Sequence, residues 1–402
     1  MDVIADGNVC APRGFRASGA HGGIKAGSTK LDVALVVSDR PANAAAVYTT
    51  NQVQAAPLHV CREYLQDGSA QAVVLNSGNA NACTGEQGMD NARAMSRQVA
   101  AGLSVQSEQV LVCSTGVIGV QLPMEAVEAG IAGALEALSD DGGDDAAVAI
   151  MTTDTVPKTC ALSLQIDGHA VHIGGMTKGS GMIAPNMATM LGVVTTDANV
   201  PPALLKDMLL LAVQRSFNCI TVDGDMSTND TVIALANGAS DLPELQAGTP
   251  AAAAFAEGLE IVCRDLARKI ARDGEGATKL VSIEVKGARS EDEARQVGLS
   301  VANSSLVKTA IFGRDPNWGR ILCAMGYAGV PMDPQVVEVF LCDTQIYGDG
   351  SGLPFDHKAL VEAMRAEDIP IAIDLVSGSA RAEVFTCDLS YDYVRINAEY
   401  TT

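Results

Sequence analysis

Residues 178–191 hold the side chains that are best placed for covalent chemistry. They read Lys-Gly-Ser-Gly-Met-Ile-Ala-Pro-Asn-Met-Ala-Thr-Met-Leu. The Gly, Ser and Pro residues up to Asn186 predict an irregular loop, whereas the apolar, β-branched sequence from Thr189 onward predicts a buried strand. Thr189 therefore lies where a loop enters a strand, directly after the small residue Ala188.

A cut between Ala188 and Thr189 would give Thr189 a free α-amine beside its own hydroxyl. Such an amine has a reference pKa of about 7.7–8.0, so much of it is neutral near neutral pH and can accept the hydroxyl proton. A threonine paired with its own N-terminal amine is an established alternative to the Ser–His pair. The simpler interpretation is a Gly-rich surface loop before an ordinary strand, and the residue types alone favour it.

The same stretch resembles the self-cleavage and nucleophile motif of the ornithine acetyltransferase family, the bifunctional glutamate N-acetyltransferases of arginine biosynthesis. The resemblance runs nearly end to end, from Ala-Pro-Arg-Gly-Phe at residues 11–15 to Ile-Asn-Ala-Glu-Tyr-Thr-Thr at residues 396–402. It implies self-cleavage between Ala188 and Thr189 into an α chain, residues 1–188, and a β chain, residues 189–402. With the resemblance, the catalytic interpretation of Thr189 becomes the favoured one.

The activity implied by the resemblance is a ping-pong acetyl transfer. Thr189 attacks the acetyl carbonyl of N2-acetyl-L-ornithine, forms an acetyl ester and releases ornithine, and the amine of L-glutamate then takes the acetyl group. Amino-acid N-acetyltransferase activity, with acetyl-CoA as co-substrate, stays open because no motif separates the two uses. No cofactor and no metal ion is expected.

Two rival functions remain. An N-terminal-nucleophile peptidase or amidohydrolase would use water as the acceptor. A non-catalytic binding protein would keep the Thr189 loop intact.

The resemblance also assigns residues outside the opening stretch. A predicted strand ends in the turn Thr115–Gly116, which exposes backbone N–H groups, and the family has its oxyanion hole there; an ordinary strand-to-loop turn would look the same. Glu275 lies between two glycines at a predicted helix-to-strand junction, where a solvated turn residue is the alternative. The implied substrate contacts are Thr155, Lys178, Thr189, Glu275, Asn397 and Thr402.

Lys178 and Glu275 suit the charges of an amino-acid substrate. Lys178 can pair with a carboxylate and lower the pKa of the Thr189 amine by like-charge repulsion, while Glu275 can bind an ammonium group. Asn397 and Thr402 place the C-terminal tail over the site. The apolar residues expected to anchor this tail are Tyr393, Val394 and Ile396.

Composition narrows the class of protein. The net charge of −21 argues against binding to nucleic acid or anionic membranes, which need basic patches. The ten cysteines include no C-x-x-C pair, and Cys113 and Cys263 lie in apolar runs, so buried reduced thiols of a cytoplasmic protein are expected. The N-terminus lacks a secretory-signal pattern, and no uncharged apolar stretch is long enough to predict a membrane span.

Two polar clusters could suggest a bound ion. His169 and His172 fall on opposite faces of a predicted strand, so they predict surface residues rather than metal ligands. Residues 218–233 hold three aspartates without further ligands at suitable spacing. The preferred interpretation is a turn that organises backbone near the active site.

The predicted strands and helices alternate along the chain. The best supported locally are a hairpin, strands 161–166 and 169–173 about Asp167–Gly168, and an amphipathic helix over 251–272. Less clear patterns predict strands at 31–37 and 44–50, an exposed linker at 139–146, a short strand at 147–151 and one helix over 290–310.

The fold implied by the resemblance is α/β, a layered α-β-β-α sandwich with a smaller α/β domain. Residues of about 240–345 are the candidate for the smaller domain, and a length of 402 residues suggests about two domains. Both cleaved chains contribute to the sandwich and stay associated, and the family pairs two such units as an α2β2 heterotetramer. The alternation of strands and helices agrees with this fold but could not have selected it.

Overall fold

The computed structural model of this chain describes residues 1–25, 27–184 and 190–399. The strands are β1 (Asp2–Val3), β2 (Phe15–Ala20), β3 (Val33–Tyr48), β4 (Ser69–Asn76), β5 (Val110–Ser114), β6 (Lys158–Ile166), β7 (His169–Lys178), β8 (Leu191–Thr196), β9 (Thr231–Ala236), β10 (Leu280–Ala288), β11 (Glu338–Leu341), β12 (Thr344–Gly348), β13 (Ser351–Gly352), β14 (Asp368–Asp374) and β15 (Ala380–Cys387). The α-helices are α1 (Ala56–Tyr64), α2 (Gly85–Leu103), α3 (Met124–Glu136), α4 (Gly143–Ala149), α5 (Pro202–Gln214), α6 (Pro250–Arg272), α7 (Glu291–Asn303), α8 (Ser305–Gly313), α9 (Trp318–Gly326), α10 (His357–Ala363) and α11 (Tyr391–Glu399).

Strand β3 connects the two parts of the first sheet. The strand order is β1-β6-β7-β8-β9-β3-β4-β5, and β2 also pairs with β3. The first half of β3 pairs with β2 and β4, and its second half pairs with β9. Between Val37 and Ala42 the register against β4 shifts, and the exposed residues 39–41 bulge out of the ladder. The prediction of two separate strands here is wrong, because Pro41 lies in the bulge, where no ladder hydrogen bond is required.

The two faces of β8 and β9 are buried against different layers. Val193 and Ile233 belong to the apolar core shared with β2, β4, α2 and α3. Val194 and Val232, their neighbours in sequence, belong to the core under α5 and α6. Successive residues of a strand point to opposite faces, so one face is covered by the β2–β5 region and the other by helices. This layering confirms the predicted α-β-β-α sandwich.

Helix α4 begins inside the linker predicted at 139–146, of which only residues 139–141 are exposed and non-helical as predicted, and it takes the place of the short strand predicted at 147–151, which is wrong. Ala146, Ala147 and Ala149 are fully buried, and α4 packs on β2 and β3. Alanine has the highest helix propensity, and an alanine-rich face lets a helix approach a sheet closely. Burial of these small side chains therefore selects a helix where the apolar run suggested a strand.

The hairpin and the long amphipathic helix are confirmed. Strand β6 pairs with β7 along its whole length, and Asp167 and Gly168 have φ values of 50° and 83°, as a two-residue turn of this kind requires. Helix α6 buries one face on the sheet. The residues predicted for that face, all buried, are Phe255, Leu259, Val262, Leu266 and Ile270.

The second sheet has the order β13-β12-β11-β14-β10-β15 and a core of its own. The helix predicted over 290–310 is two helices, because the Ser304 side chain accepts a hydrogen bond from Val307 N–H and starts α8. The predicted smaller domain, about 240–345, includes α6, which packs on the first sheet, whereas the second sheet continues to Cys387. The division into domains itself stays a prediction.

The cysteines are reduced, and two of them test the burial prediction. Cys113 and Cys263 are buried as predicted, whereas Cys83 and Cys323 are exposed. All ten thiols, which lie in described parts of the chain, are free. In the same ranges no helix is both long and apolar enough to cross a membrane.

Several chain segments converge at one end of the first sheet. Strands β4 and β5 are parallel and end side by side, the latter at Ser114. Strand β7 ends at Lys178, next to the start of β8. The segments before β9 and β10 reach the same place: Asn229 Nδ2 donates to Ser114 O at 2.7 Å, and Glu275 N–H donates to Ser180 O at 2.9 Å.

Candidate active site

A cavity lies where these segments meet. Its empty volume is about 570 Å³ when the space at its open mouth is included. Its polar walls include residues 152–153 and 227–229, and its apolar walls include Ala80, Ile118 and Met182. The predicted site residues that line it are Thr115, Gly116, Lys178, Glu275 and Asn397. Residues from distant parts of the sequence thus meet around one space.

Thr155 lies beside the cavity rather than in its wall. Its N–H donates to Asp273 Oδ2 at 3.0 Å, and its hydroxyl donates to Asp273 Oδ1. The wall next to it is formed by Thr152 and Thr153. The predicted contact between Thr155 and substrate stays a prediction.

The predictions that fall outside the described residues are those for Ala188, Thr189 and Thr402.

The turn Thr115–Gly116 presents fewer N–H donors than its sequence predicts. The Thr115 N–H donates to Asn76 O at 2.9 Å and is occupied. Gly116 has a φ of 134°, and a Cβ there would lie 2.5 Å from Asn79 N and closer still to the carbonyl carbon of Gly78. Only glycine, which has no Cβ, allows the backbone at residue 116 to lie this close to the backbone of Gly78 and Asn79. Within the described residues the Gly116 N–H makes no hydrogen bond. The Gly116 N–H and the Thr115 hydroxyl therefore remain as donors for the cavity.

Asn229, to which the sequence analysis assigned no role, fixes the loops on either side of this turn. Its Nδ2 donates to Ala80 O at 2.6 Å and to Ser114 O at 2.7 Å. The Thr228 hydroxyl donates to Asn229 Oδ1 at 2.5 Å and holds the amide in this orientation. One side chain thus joins the loop after β4 to the end of β5. Its only signal in the sequence was a polar, turn-like neighbourhood.

Lys178, the last residue of β7, is a buried cation that faces the cavity. It is 4 % exposed. Burial lowers the pKa of Lys178, the charge of Asp154 opposes this shift, and the charge of Lys158 adds to it. A buried ammonium has lost most of its hydration, so a carboxylate ligand in the cavity would stabilise it.

Lys158 is enclosed by two buried carboxylates. Its Nζ lies 2.7 Å from Asp154 Oδ1 and 2.6 Å from Asp273 Oδ2. The Gly179 N–H also donates to Asp154 Oδ1, at 2.7 Å. Burial by itself raises the pKa of Asp154, but Lys178, Lys158 and these hydrogen bonds together lower it to about 2. The network ties the segment after α4 to the loops that carry Lys178 and Glu275, and the sequence analysis missed it.

Glu275 is buried and fixed in place, so the alternative of a solvated turn residue is wrong. It is 8 % exposed, and its N–H donates to Ser180 O. The Ser180 hydroxyl in turn donates to Asp273 O at 2.6 Å. Gly181 lies directly against the carboxylate, which a Cβ at this position would overlap. Asn397 Nδ2 donates to Glu275 Oε2 at 2.8 Å.

Helix α11 reaches the site through polar contacts. Val394 is 67 % exposed, so its predicted role as an apolar anchor is wrong, while Tyr393 and Ile396 are half-buried. The Ser390 hydroxyl donates to Gly276 O at 2.5 Å at the start of the helix. Together with the Asn397 contact, this bond holds the helix against the loop that carries Glu275.

The aspartates of residues 218–233 bind backbone, as the interpretation of an organising turn requires. Asp223 accepts the N–H groups of Met182, at 2.6 Å, and Ile183, at 2.8 Å, while Asp230 accepts that of Met190 at 2.9 Å. Burial raises the pKa of Asp223 to about 6 and raises that of Asp230 well above its usual value. Elsewhere, His172 Nδ1 lies 2.9 Å from Asp197 Oδ2. No group of three or more His, Cys, Asp or Glu side chains in the described ranges is arranged for a metal ion.

A second, larger cleft lies between α5, α6, α7 and β15, and ion pairs form its walls. Arg215 pairs with Glu260 and Glu291, and Arg264 pairs with Glu383. These charges neutralise one another, and no predicted site residue lines the cleft. The smaller cavity holds oxyanion donors, a cation and a carboxylate around one space. It is therefore the better candidate for the active site.

Comparison with known proteins gives similarity along the whole chain. The model of the ArgJ family matches residues 16–402. The "Arginine biosynthesis bifunctional protein ArgJ" of Symbiobacterium thermophilum is 53% identical over 403 residues, with 100% of both chains covered. A crystal structure of the Bacillus halodurans protein of that name is 41% identical, with a TM-score of 0.51, and the match covers 52% of this chain and 98% of that chain. A structure described as ornithine acetyltransferase complexed with ornithine, from Mycobacterium tuberculosis, is 46% identical with a TM-score of 0.43, over 46% of this chain and 97% of that chain.

Proposed function

This chain belongs to the ArgJ family, and we propose that it is the glutamate N-acetyltransferase that moves an acetyl group from N2-acetyl-L-ornithine to L-glutamate in arginine biosynthesis. The observation that carries the proposal is the cavity at the end of β7. It combines oxyanion donors, a buried cation and a buried carboxylate. Among these groups, Lys178 pairs with Leu191, the first residue of β8, which lies two positions after the predicted nucleophile in the sequence.

The charges of the cavity match those of the two substrates. Both substrates carry an α-carboxylate, for which the buried ammonium of Lys178 is a suitable partner. The donor also carries a side-chain ammonium, which the Glu275 carboxylate can bind while Asn397 holds that carboxylate in place. Burial strengthens both pairings relative to water, because the site has a lower effective dielectric constant.

The same cavity supports covalent catalysis by Thr189. Its hydroxyl attacks the acetyl carbonyl, its α-amine accepts the hydroxyl proton, and the proton then passes to the departing amine of ornithine. The Gly116 N–H and the Thr115 hydroxyl stabilise the oxyanion. Such preorganised donors are worth about 100-fold to 1,000-fold each. The amine of glutamate then attacks the ester and regenerates Thr189.

The proposal includes maturation by self-cleavage between Ala188 and Thr189. In support, the Bacillus halodurans chain is matched almost whole by about half of this chain, as expected of a relative made of two polypeptides. Chains 1–188 and 189–402 would stay associated, because β7 and β8 pair across the cut. We place the mature enzyme in the cytoplasm as an α2β2 heterotetramer without a cofactor. Acetyl-CoA is proposed as a second acetyl donor.

The experiment that tests this function measures ornithine release from N2-acetylornithine with and without glutamate. Sustained release that requires glutamate and yields N-acetylglutamate supports the transferase. Equal release in buffer alone would favour the amidohydrolase, and an intact chain without release would favour the binding protein. A parallel assay with acetyl-CoA as the sole donor tests the second activity.

A further inference from the structure

The apolar part of the cavity wall divides into two places. Among the described residues, the apolar side chains of this wall are Ala80, Ile118 and Met182. Ile118 follows Gly116 by two residues, so the Cα atoms of the two lie no more than about 7 Å apart. Met182 directly follows Gly181, which lies against the Glu275 carboxylate. One apolar wall therefore adjoins the proposed oxyanion donors, and the other adjoins the buried carboxylate.

The wall that carries Ile118 is held in place on both sides of this residue. The Ala80 N–H donates to Val117 O at 2.9 Å, immediately before Ile118. The Gly119 N–H donates to Ala82 O, also at 2.9 Å, immediately after it. The Ile118 side chain is half-buried and packs against an apolar cluster formed by Ala55, Leu58, Ala80 and Ala82. Because packed side chains and bonded backbone resist displacement, this wall can select a ligand by its size.

The proposed donor also has two apolar parts. One is the methyl of the acetyl group, and the other is the run of side-chain methylenes. The methyl and the carbonyl oxygen are bonded to the same carbon, so an oxygen held about 3 Å from the Gly116 nitrogen brings the methyl to the adjoining wall. The methylenes lie instead between the α-carboxylate and the side-chain ammonium, whose proposed partners are Lys178 and Glu275. The acetyl methyl is therefore assigned to Ile118, and the methylenes to Met182.

We propose that Ile118 sets the length of the acyl group that the enzyme transfers: the acetyl methyl packs against the Ile118 side chain, and the fixed wall rejects longer chains. This inference rests on the proposed function and adds acyl-chain selection to it. The extra methylene of a propanoyl group would have to displace Ile118 or the bonded backbone around it. In a hydrophobic pocket, a difference of one methylene changes kcat/KM about 10-fold to 200-fold.

The test compares the N2-acetyl, N2-propanoyl and N2-butanoyl derivatives of L-ornithine as donors, with glutamate as the acceptor. Ornithine release gives kcat/KM for each donor, and the readout is the ratio of these values on one enzyme preparation. A merely structural defect lowers all three values by the same factor and leaves the ratio unchanged. The main variant is Ile118→Ala. Val120→Ala is the matched control, because Val120 lies on the same loop and is 52 % exposed.

For wild type we expect the acetyl donor to be preferred over the propanoyl donor by at least about tenfold. Ile118→Ala should lower that preference at least about tenfold, since the smaller side chain leaves space for the added methylene. Val120→Ala should keep the wild-type ratio. Equal use of the acetyl and propanoyl donors by wild type would overturn the inference, as would an unchanged ratio in Ile118→Ala or the same change in both variants.

Ile118→Val covers the case in which Ile118→Ala does not fold. It removes one methylene, so its preference for the acetyl donor should fall below that of wild type, and an unchanged preference would overturn the inference. Met182→Ala should raise KM for all three donors without changing their ratio. A ratio that changes in Met182→Ala and not in the Ile118 variants would also overturn it. If wild type releases ornithine from none of the donors, the proposed function itself fails, which is a different outcome from transfer without acyl selection.

Discussion

Asn397 Nδ2 donates a 2.8 Å hydrogen bond to Oε2 of Glu275, across 122 positions of sequence. The bond brings the C-terminal helix to the carboxylate proposed to bind the substrate ammonium. None of the residues of α11 is buried, and the helix is held by this polar contact, by the Ser390 bond to Gly276 O and by the edge-to-face contact of Tyr391 with Phe312. The position of the Glu275 carboxylate, the proposed partner of the substrate ammonium, therefore depends on the C-terminal helix.

Asn397→Ala should weaken acetyl transfer and leave self-cleavage intact. The alanine cannot orient Glu275, and a hydrogen bond to a charged group contributes about 1.5–3 kcal/mol, so kcat/KM should fall about tenfold or more. The effect should lie mainly in KM for N2-acetylornithine. Arg395→Ala, which removes an exposed ion pair on the same helix, is the control and should behave as wild type. An unchanged KM in Asn397→Ala would show that the helix is a bystander.

Glu275→Gln tests the charge rather than the shape of the site. Glutamine preserves the size of the side chain and can still accept the bond from Asn397, but it cannot neutralise an ammonium. We expect kcat/KM for N2-acetylornithine to fall about tenfold to a hundredfold with self-cleavage retained. Steady-state kinetics on the cleaved variant give the answer, with the exposed Glu367→Gln as control. Wild-type kinetics would remove Glu275 from substrate binding.

Gly116→Ala should slow self-cleavage and acetyl transfer together. A Cβ at this position collides with Gly78 and Asn79, so the turn that presents the Gly116 N–H must move. Because cleavage and transfer both pass through an oxyanion, each should slow by about 100-fold to 1,000-fold. Gly326→Ala, where a Cβ would meet no atom within 4 Å, should affect neither. Denaturing gels and acetyl-transfer assays on both variants measure the two rates. Loss of transfer alone would mean that cleavage uses other oxyanion donors.

Asp154→Asn should lower the free energy of unfolding, since it leaves the buried Lys158 with one carboxylate instead of two. Leaving a buried charge entirely unpaired costs about 3–5 kcal/mol, and Asp273 still pairs with Lys158 in this variant, so the expected loss is smaller than that. The folded-state pKa of Asp154 is about 2, below its usual 3.8. Ionised Asp154 therefore stabilises the fold fully above pH 3.8, and this stabilisation is lost as the pH falls towards 2. The difference in stability between wild type and variant should therefore shrink as the solution is acidified.

Urea unfolding at neutral pH and at a series of lower pH values measures that difference. The control is Asp368→Asn, which breaks only an exposed pair with Arg268 and should change stability little at any pH. A gap for Asp154→Asn that is constant with pH would mean that its ion pair is not the source of the stability.

Local patterns were enough to predict some elements and not others. The hairpin about Asp167–Gly168 follows from turn chemistry between neighbours, and α6 follows from apolar spacing along one helix. In contrast, β3 continues through Pro41 because the bulge removes the need for its N–H, and the run around Ala147 becomes a helix because it packs on β2. These outcomes depend on tertiary partners, which the local sequence does not contain.

The residues of the site also divide into those that the sequence could identify and those that it could not. Lys178 and Glu275 were assigned by family resemblance, and the structure places both on one cavity. Asp154, Lys158 and Asp273 were missed because a buried ion-pair network has no sequence spacing; Lys158 and Asp273 are 115 positions apart. These missed residues orient the loops around the assigned ones.

The acetyl-Thr189 intermediate is tested most directly by the intact mass of the β chain, residues 189–402, after the purified protein is mixed with N2-acetylornithine and no acceptor. We expect two chains cut between Ala188 and Thr189, with one acetyl group added to the β chain at its N-terminal threonine. Glutamate should then remove the acetyl group and yield N-acetylglutamate. An uncut chain of 402 residues, or a β chain that never gains an acetyl group while transfer proceeds, would contradict it.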